Sequence, residues 1–166
     1  MATKDFSKVQ EKMIAQILGW EVVAGSGAAA CCPGDIISDA WLGECKTHVA
    51  PGHKIYFNKD VWIKIKEEAV VKRRFPVLFT DDGSQRSNRT WCLLHENRLD
   101  LEEFILYPIS KGVNKNISIN HEDLMNSYRE ARHASEDKSI ALSAQWNGEK
   151  VVLMPLAEFA ECISEI

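Results

Sequence analysis

Three residues in the stretch GDIISDAWLGECK, from Gly34 to Lys46, have types and a spacing that could support metal-dependent chemistry. Asp35 lies in a short apolar segment, and nine residues later Glu44 begins the triplet Glu44-Cys45-Lys46. A hairpin would bring the two carboxylates together, with the backbone carbonyl of Cys45 as a further oxygen ligand. Such a set suits Mg²⁺, which takes oxygen ligands and keeps several of its waters.

The reaction that uses such a set is phosphodiester hydrolysis. A divalent cation neutralises the phosphate and activates a water, and a further positive charge steadies the transition state. Residues two apart in a strand point to the same face, so Glu44 and Lys46 are expected to share a face, about 6–7 Å apart along the strand. A solvent-facing charged strand would contain the same triplet, so the spacing alone leaves both interpretations open.

The elements that must position these residues can be predicted from periodicity. Apolar residues at helical spacing predict a helix from Asp5 to Leu18, ended by Gly19. A second helix is predicted in NKDVWIKIKEEAVVKRR, with Asn58 as its N-cap. Strands are predicted in WEVVAG, GDIISD, WLGECKTH, FPVLFTDDG and RTWCLLHE, and a short helix in DLEEFIL.

The pattern that begins at Ile55 recurs at Ile117. Each copy has a β-type triplet, an Asn, a helix, a strand, a turn containing Gly, a second strand and a short helix that contains Phe104 or Phe159. We interpret this as a degenerate repeat; a coincidence between two generic α/β units is the alternative. The second copy lacks an equivalent of the segment 35–46, so we expect it to be structural or to form an interface.

The segments AGSGAAACCPGDIIS, GECKTH, IYFNKDVW and PVLF, in this order, resemble the PD-(D/E)XK nuclease superfamily. Within that superfamily the chain looks most similar to the Holliday-junction resolvases of the archaeal and phage type, over roughly residues 6–104. The resemblance implies a restriction-endonuclease-like, mixed central β-sheet flanked by helices, in a core of residues 1–106. Residues 107–166 are then a C-terminal α/β extension, an extra helix–strand–strand–helix unit that packs on the core or at a dimer interface.

The resemblance also implies a role for each site residue. Asp35 and Glu44 match the metal ligands, and Lys46 matches the catalytic lysine. Glu11, inside the first predicted helix, matches a further acidic residue that completes the site. Ser26 matches a loop serine near the scissile phosphate, with Gly25 and Gly27 beside it. Mg²⁺ is the implied cofactor, with Mn²⁺ as a substitute, and the implied enzyme is a metal-dependent endodeoxyribonuclease.

A DNA partner requires basic residues along one face of the protein. The net charge is −4, but residues 1–98 contain 14 Lys and Arg against 12 Asp and Glu, whereas residues 99–166 contain 6 against 12. The first part, with a net charge of +2, is therefore expected to face DNA. The second part, with a net charge of −6, is expected to face away from it. The candidate phosphate contacts are Lys8, Lys12, His48, His53, Lys54, Arg73 and Arg74. For the two arginines, complementing the dipole at a helix C-terminus is the structural alternative.

Branched DNA is the expected substrate, and it has consequences for assembly. A four-way junction has two-fold symmetry and requires two symmetric cuts. A homodimer with a two-fold axis is the simplest arrangement that makes them.

Composition restricts the remaining classes. No run near 18 apolar residues occurs and the N-terminal segment is charged, so we expect an intracellular, cytoplasmic protein of cellular or viral origin. The five cysteines contain no CxxC pair, which indicates free thiols rather than a structural zinc site. Two other functions stay open: a nuclease of the same fold without junction selectivity, and a non-catalytic DNA-binding protein on the same scaffold.

Overall fold

The computed structural model describes residues 3–24, 34–48, 52, 54–109, 115–135 and 137–164. It is a mixed α/β structure in which helices flank a large mixed sheet. The predicted GSG loop, with Gly25, Ser26 and Gly27, lies outside the described residues, as does His53. None of the helices in these ranges is both long and apolar enough to cross a membrane.

Groups of consecutive strands separate the helices along the chain. The helices are α1 (Thr3–Leu18), α2 (Lys59–Lys72), α3 (His121–Ala134) and α4 (Leu156–Ser164). The strands are β1 (Glu21–Val22), β2 (Ile36–Ile37), β3 (Trp41–Lys46), β4 (Ile55–Phe57), β5 (Phe75–Thr80), β6 (Trp91–His95), β7 (Phe104–Pro108), β8 (Ile117–Ile119), β9 (Ser139–Trp146) and β10 (Glu149–Pro155).

Eight of these strands form one sheet in the order β1-β2-β3-β5-β6-β10-β9-β7, and β4 and β8 form a separate pair. Neighbours in the large sheet are antiparallel except β3 with β5 and β7 with β9. The parallel connection from β3 to β5 needs a crossover, which α2 supplies. The antiparallel hairpin β2–β3 is therefore held against a buried central strand.

Alternate residues of the sheet point to two separate cores, as the two-residue period of a strand requires. On one face, Leu78 and Leu93 pack with Trp62 of α2 and Leu124 of α3. On the other face, the sheet packs against α1 and α4, through residues that include Ile14 and Phe159. The sheet is thus covered on both sides.

The local sequence explains where the helices α2 and α3 begin. The side-chain oxygen of Asn58 accepts hydrogen bonds from the backbone N–H groups of Asp60 and Val61, which confirms Asn58 as the predicted N-cap. Asn120 caps α3 in the same way through Glu122 N–H. The predicted helix at the N-terminus is also confirmed, as α1.

The strand pairing is symmetric about the β6–β10 seam, an internal two-fold relation with β5, β3 and β4 on one side in the places that β9, β7 and β8 take on the other. Phe104 of β7 is therefore not the counterpart of Phe159 in α4 that the sequence repeat predicted. The strand β4 pairs with β8, with Tyr56 opposite Ser118 at the centre of the pair. The strand β6 pairs with β10, with Leu93 opposite Leu153 at the centre. The helices α2 and α3 are both 14 residues long. Strands from both sides of the 106/107 division share one sheet, and that division falls within β7.

One predicted element is wrong. The segment DLEEFIL is a turn followed by strand β7, not a short helix. The Asp100 side chain accepts a hydrogen bond from Glu102 N–H and closes the turn, and β7 then pairs with β9 from Phe104 onward. A parallel partner strand supplies backbone hydrogen bonds that outweigh a weak local preference for helix. In the two-fold relation β7 is the counterpart of β3.

The equivalence of β3 and β7 shows what the second half has in place of the acidic site. Leu78 pairs with Leu93, and Leu142 pairs with Leu153, so Leu78 and Leu142 are equivalent. Glu44 lies beside Leu78, and Tyr107 lies beside Leu142. Tyr107 therefore occupies the position that is equivalent to Glu44. Ile109 is two residues further on and occupies the position that is equivalent to Lys46.

Two glycines let the site segment approach its neighbours. A Cβ at Gly43 would lie 2.7 Å from the Phe79 ring and 2.9 Å from Ile36 Cγ1. Gly34 has φ +72°, and a Cβ there would lie 2.6 Å from Leu42 Cδ1. A small residue inside a strand often marks a close approach, and at Gly43 that approach is made by the Phe79 ring.

We expect Gly43→Ala to lower the free energy of unfolding by about 1–3 kcal/mol, because the added methyl group overpacks the space between Ile36 and Phe79. Chemical denaturation measures this directly. In a Phe79→Leu background the same substitution should cost less, because the smaller side chain leaves room for the methyl group. An equal loss in both backgrounds would show that the contact does not set the cost.

Candidate active site

Asp35 is fixed against β3 by its own side chain and backbone. Its Oδ2 atom accepts a hydrogen bond of 2.8 Å from Cys45 N–H, and its backbone N–H donates to the Gly43 carbonyl at 2.8 Å. The preceding residue, Gly34, donates its N–H to the Glu68 carboxylate at 3.0 Å, which ties the segment to α2. The buried Asp35 carboxylate therefore lies beside the Glu44-Cys45-Lys46 triplet.

Glu44 and Lys46 share one face of β3 and contact each other. Lys46 Nζ lies 3.1 Å from Glu44 Oε1, much closer than the strand rise alone would place them. The Glu44 side chain is 9% exposed and that of Lys46 is 51% exposed, so the ammonium reaches from the surface over a buried carboxylate. Burial on its own would lower the pKa of Lys46, but the charge and hydrogen bond of Glu44 outweigh it and raise that pKa.

Helix α1 brings Glu11 to the same place. The buried Gln10 side chain donates through Nε2 to the Lys46 carbonyl at 2.6 Å, and Ile14 of the same helix packs into the core beneath. Glu11 follows Gln10 and is half-buried. Burial, together with the charges of Asp35 and Glu44, raises the pKa of Glu11 to about 7. The structure therefore brings Glu11, Asp35, Glu44 and Lys46 together.

The site holds more negative than positive charge. Burial first and then the charge of Asp35 raise the pKa of Glu44, while Lys46 opposes the shift. Burial also raises the pKa of the Cys45 thiol well above its ordinary range, so that thiol stays protonated and only the backbone carbonyl of Cys45 is a candidate ligand. Three crowded carboxylates facing one ammonium form a site that a cation would stabilise.

The chemical types of the donors, carboxylate oxygens and a backbone carbonyl, are those that a hard divalent cation takes. Within the described ranges, no three His, Cys, Asp or Glu side chains converge in a ready-made metal-binding geometry. One Asp35 oxygen is hydrogen-bonded to the Cys45 N–H and one Glu44 oxygen is paired with Lys46. The carboxylates of Asp35, Glu44 and Glu11 are nevertheless the oxygen ligands that Mg²⁺ and Mn²⁺ take, and their mutual repulsion falls when a cation binds.

The predicted DNA contacts are not all near this site. Lys8 and Lys12 are exposed on α1, and the charge of Lys8 acts on Glu11. His48 follows β3, and Lys54 is exposed just before β4.

Arg73 and Arg74 lie at the opposite end of the strands. They precede Phe75, which pairs with Trp41, whereas Lys46 pairs with Thr80, about 16 Å further along. Arg74 Nε donates to the Ser38 carbonyl, so it holds the turn between β2 and β3. The geometry therefore supports a structural role for Arg74 rather than a phosphate contact.

Sequence reasoning missed a polar network that supports the site. The fully buried Asp81 carboxylate accepts hydrogen bonds from Thr47 Oγ1 at 2.6 Å and from Gln10 Nε2 at 3.3 Å. Gln85 Nε2 donates to Thr47 Oγ1 at 2.7 Å. The sequence signal for this network was the pair Asp81-Asp82 directly after an apolar strand, which was interpreted only as a turn.

Comparisons of the chain with protein-family models, with curated proteins and with solved structures found no match. The function is therefore inferred from the geometry and chemistry of the described residues.

We expect Glu11→Gln to stabilise the metal-free protein at pH 8 and to change its stability little near pH 4.5. With a folded pKa of about 7 against an ordinary 4.5, wild-type Glu11 keeps a proton that the unfolded chain releases, so stability falls as pH rises through this window. Glutamine mimics the protonated form. Thermal denaturation in EDTA across this range should give a difference in Tm that grows with pH.

The matched control is Glu67→Gln, on the exposed face of α2. The difference in Tm between this variant and the wild type should not grow with pH. If the difference in Tm between Glu11→Gln and the wild type stays constant from pH 4.5 to pH 8, the crowding of the three carboxylates is contradicted.

Proposed function

We propose that the protein is a Mg²⁺-dependent endodeoxyribonuclease of the PD-(D/E)XK type that cuts branched DNA, with four-way junctions as its preferred substrate. The observation that carries the proposal is the cluster of Glu11, Asp35 and Glu44 around Lys46 at the C-terminal end of β3. Acidic residues that crowd at a cost to stability are typical of functional sites.

The order of elements supports the restriction-endonuclease-like class. The helix α1 carries an acidic residue, and the antiparallel strands β1, β2 and β3 come after it. The helix α2 then leads to β5, which is parallel to β3 and contains the PVL segment. This is the succession that the resemblance in the sequence implies. The carboxylates lie directly before β2, on β3 and on α1, in the order that the resemblance implies.

Each residue of the cluster has a role in this proposal. Asp35, Glu44 and Glu11 would hold Mg²⁺ with the Cys45 carbonyl, and Mn²⁺ would substitute. A bound cation would neutralise the phosphate and lower the pKa of a water. Lys46, which reaches out from the buried Glu44, would orient the nucleophile and offset negative charge on the phosphorus. Lys8 and Lys12 are exposed on the adjacent helix, where they can contact flanking phosphates.

The assembly is inferred from the number of sites. In the two-fold relation Tyr107 and Ile109 take the places of Glu44 and Lys46, so the second half has no equivalent acid-lysine pair in the part of the chain that the structure describes. One chain then supplies one site. Two symmetric cuts in a junction require two chains, and we propose a homodimer with a two-fold axis.

We expect Asp35→Asn to abolish Mg²⁺-dependent cleavage of a labelled junction while binding is retained. The amide removes one charge from the cation site but can still accept the Cys45 N–H. The matched control is Asp39→Asn, on the exposed turn of the same hairpin, which should cut like the wild type. Measurable turnover by the Asp35 variant would overturn the metal assignment.

We expect Lys46→Ala to lower kcat by roughly 100-fold or more, with less than a fivefold change in DNA affinity. An ammonium that acts on the transition state contributes to rate and little to ground-state binding. Single-turnover cleavage and anisotropy titration measure the two quantities separately. Equal losses of rate and affinity would make Lys46 a phosphate-binding residue only.

A further inference from the structure

A cleft of about 490 Å³ lies between α1 and the turn that follows β5, and the proposed function leaves it unassigned. Phe6 of α1 forms one part of its lining, and the turn from Asp82 to Arg89, after β5, forms most of the rest. The cleft is partly open to solvent, so it can admit a segment of a longer chain.

The turn that lines the cleft is rigid because its own carboxylates hold it. Asp81 Oδ1 accepts the Gly83 N–H at 2.8 Å, and Asp82 Oδ1 accepts the Ser84 N–H at 3.1 Å. Asp82 Oδ2 also pairs with Arg89 at 2.7 Å. The backbone that faces the cleft is therefore fixed before any ligand arrives.

Gln85 fastens this turn to the catalytic strand. Its backbone has φ 54°, a left-handed conformation that residues other than Gly and Asn seldom adopt. Its amide donates to Thr47 Oγ1 at 2.7 Å, to the Gly83 carbonyl at 2.7 Å and to the His48 carbonyl at 3.3 Å. Since Thr47 comes directly after Lys46, the cleft is joined to the end of the strand that carries the site.

The side chains in the cleft offer one available cation and one aromatic ring. Arg89 is neutralised by Asp82, whereas the exposed Arg86 guanidinium makes no hydrogen bond or ion pair with any other residue that the structure describes. Phe6 is partly exposed. An arginine for phosphate and an aromatic ring for base stacking are the two contacts that hold a single nucleic-acid strand.

We propose that this cleft, which we name the Arg86 cleft, holds a DNA strand at the branch point with one base opened out of its pair, with Arg86 on a phosphate and Phe6 stacked on that base. This inference rests on the proposed function and specifies its substrate. A base can stack on Phe6 only after it has left its pair, and a pair at the branch point, which has lost stacking on one side, opens at lower cost than a pair within a duplex. The cleft thus supplies a physical reason for selecting branched DNA.

The test uses the full chain with Asp35→Asn, so that DNA is bound but not cut, and measures anisotropy of a labelled four-way junction and of a matched duplex at several salt concentrations. Arg86→Ala should weaken junction binding by roughly 3- to 10-fold and reduce the slope of log K against log salt by about one. Phe6→Leu should weaken junction binding by about fivefold without a change in slope, since no charge is removed, and should leave duplex binding unaltered.

Arg98→Ala is the matched control, because Arg98 is an exposed arginine beyond the far end of β6. It should bind both DNAs like the Asp35→Asn parent. Circular dichroism and Tm verify that each variant is folded.

The outcomes separate this inference from the function on which it rests. If the parent binds the junction and neither the Arg86 nor the Phe6 variant differs from it, the cleft assignment is wrong and the nuclease proposal stands. If Phe6→Leu weakens duplex and junction equally, the cleft does not select the branch point. If thymidine monophosphate competes with the junction at micromolar concentration, the cleft is a nucleotide pocket instead. A parent that binds no DNA overturns both proposals.

Discussion

The repulsion among three carboxylates is the constraint on which the rest of the structure depends. Glu11, Asp35 and Glu44 lie partly or wholly out of solvent, and Lys46 offsets a single charge. Burial and this surplus of negative charge keep the pKa of Glu11 near 7. Such a site persists only because the surrounding fold is rigid. The Asp35 contact to Cys45 N–H fixes the hairpin, and the Gln10 contact to the Lys46 carbonyl anchors α1.

The internal two-fold relation explains how a small chain obtains that rigidity. The β6–β10 seam joins two halves of similar architecture into one sheet with a core on each face, and the separate β4–β8 pair links the halves a second time. One half carries the acids and the lysine, and the other has Tyr107 and Ile109 at the corresponding positions. The second half thereby contributes packing and stability, because its strands β9 and β10 continue the central sheet.

Part of the candidate site could be predicted from sequence, because Asp35, Glu44 and Lys46 lie within twelve residues of one another, whereas Glu11 was assigned only through the family resemblance. Two-residue spacing placed Glu44 and Lys46 on one face, and periodicity gave α1 and α2. The segment at Phe104 could not be predicted, because its partner β9 lies 35 residues further on and supplies the hydrogen bonds that decide its conformation. The contacts of Gln10 and Asp81 were missed for the same reason, since they join residues 71 positions apart. Residues 25–27 lie outside the described part of the chain, so the role of Ser26 stays a prediction.

The most direct test of the central claim is cleavage by the wild-type protein of a strand-labelled four-way junction and of a linear duplex of the same sequence, each with Mg²⁺ and with EDTA. The account predicts paired, symmetric nicks in the junction that appear with Mg²⁺ and vanish with EDTA, while the duplex stays intact. Equal cutting of both DNAs would retain the carboxylate site and contradict the selectivity for branches. Tight binding to the junction without cutting under any divalent cation would contradict the nuclease assignment and leave a non-catalytic DNA-binding protein.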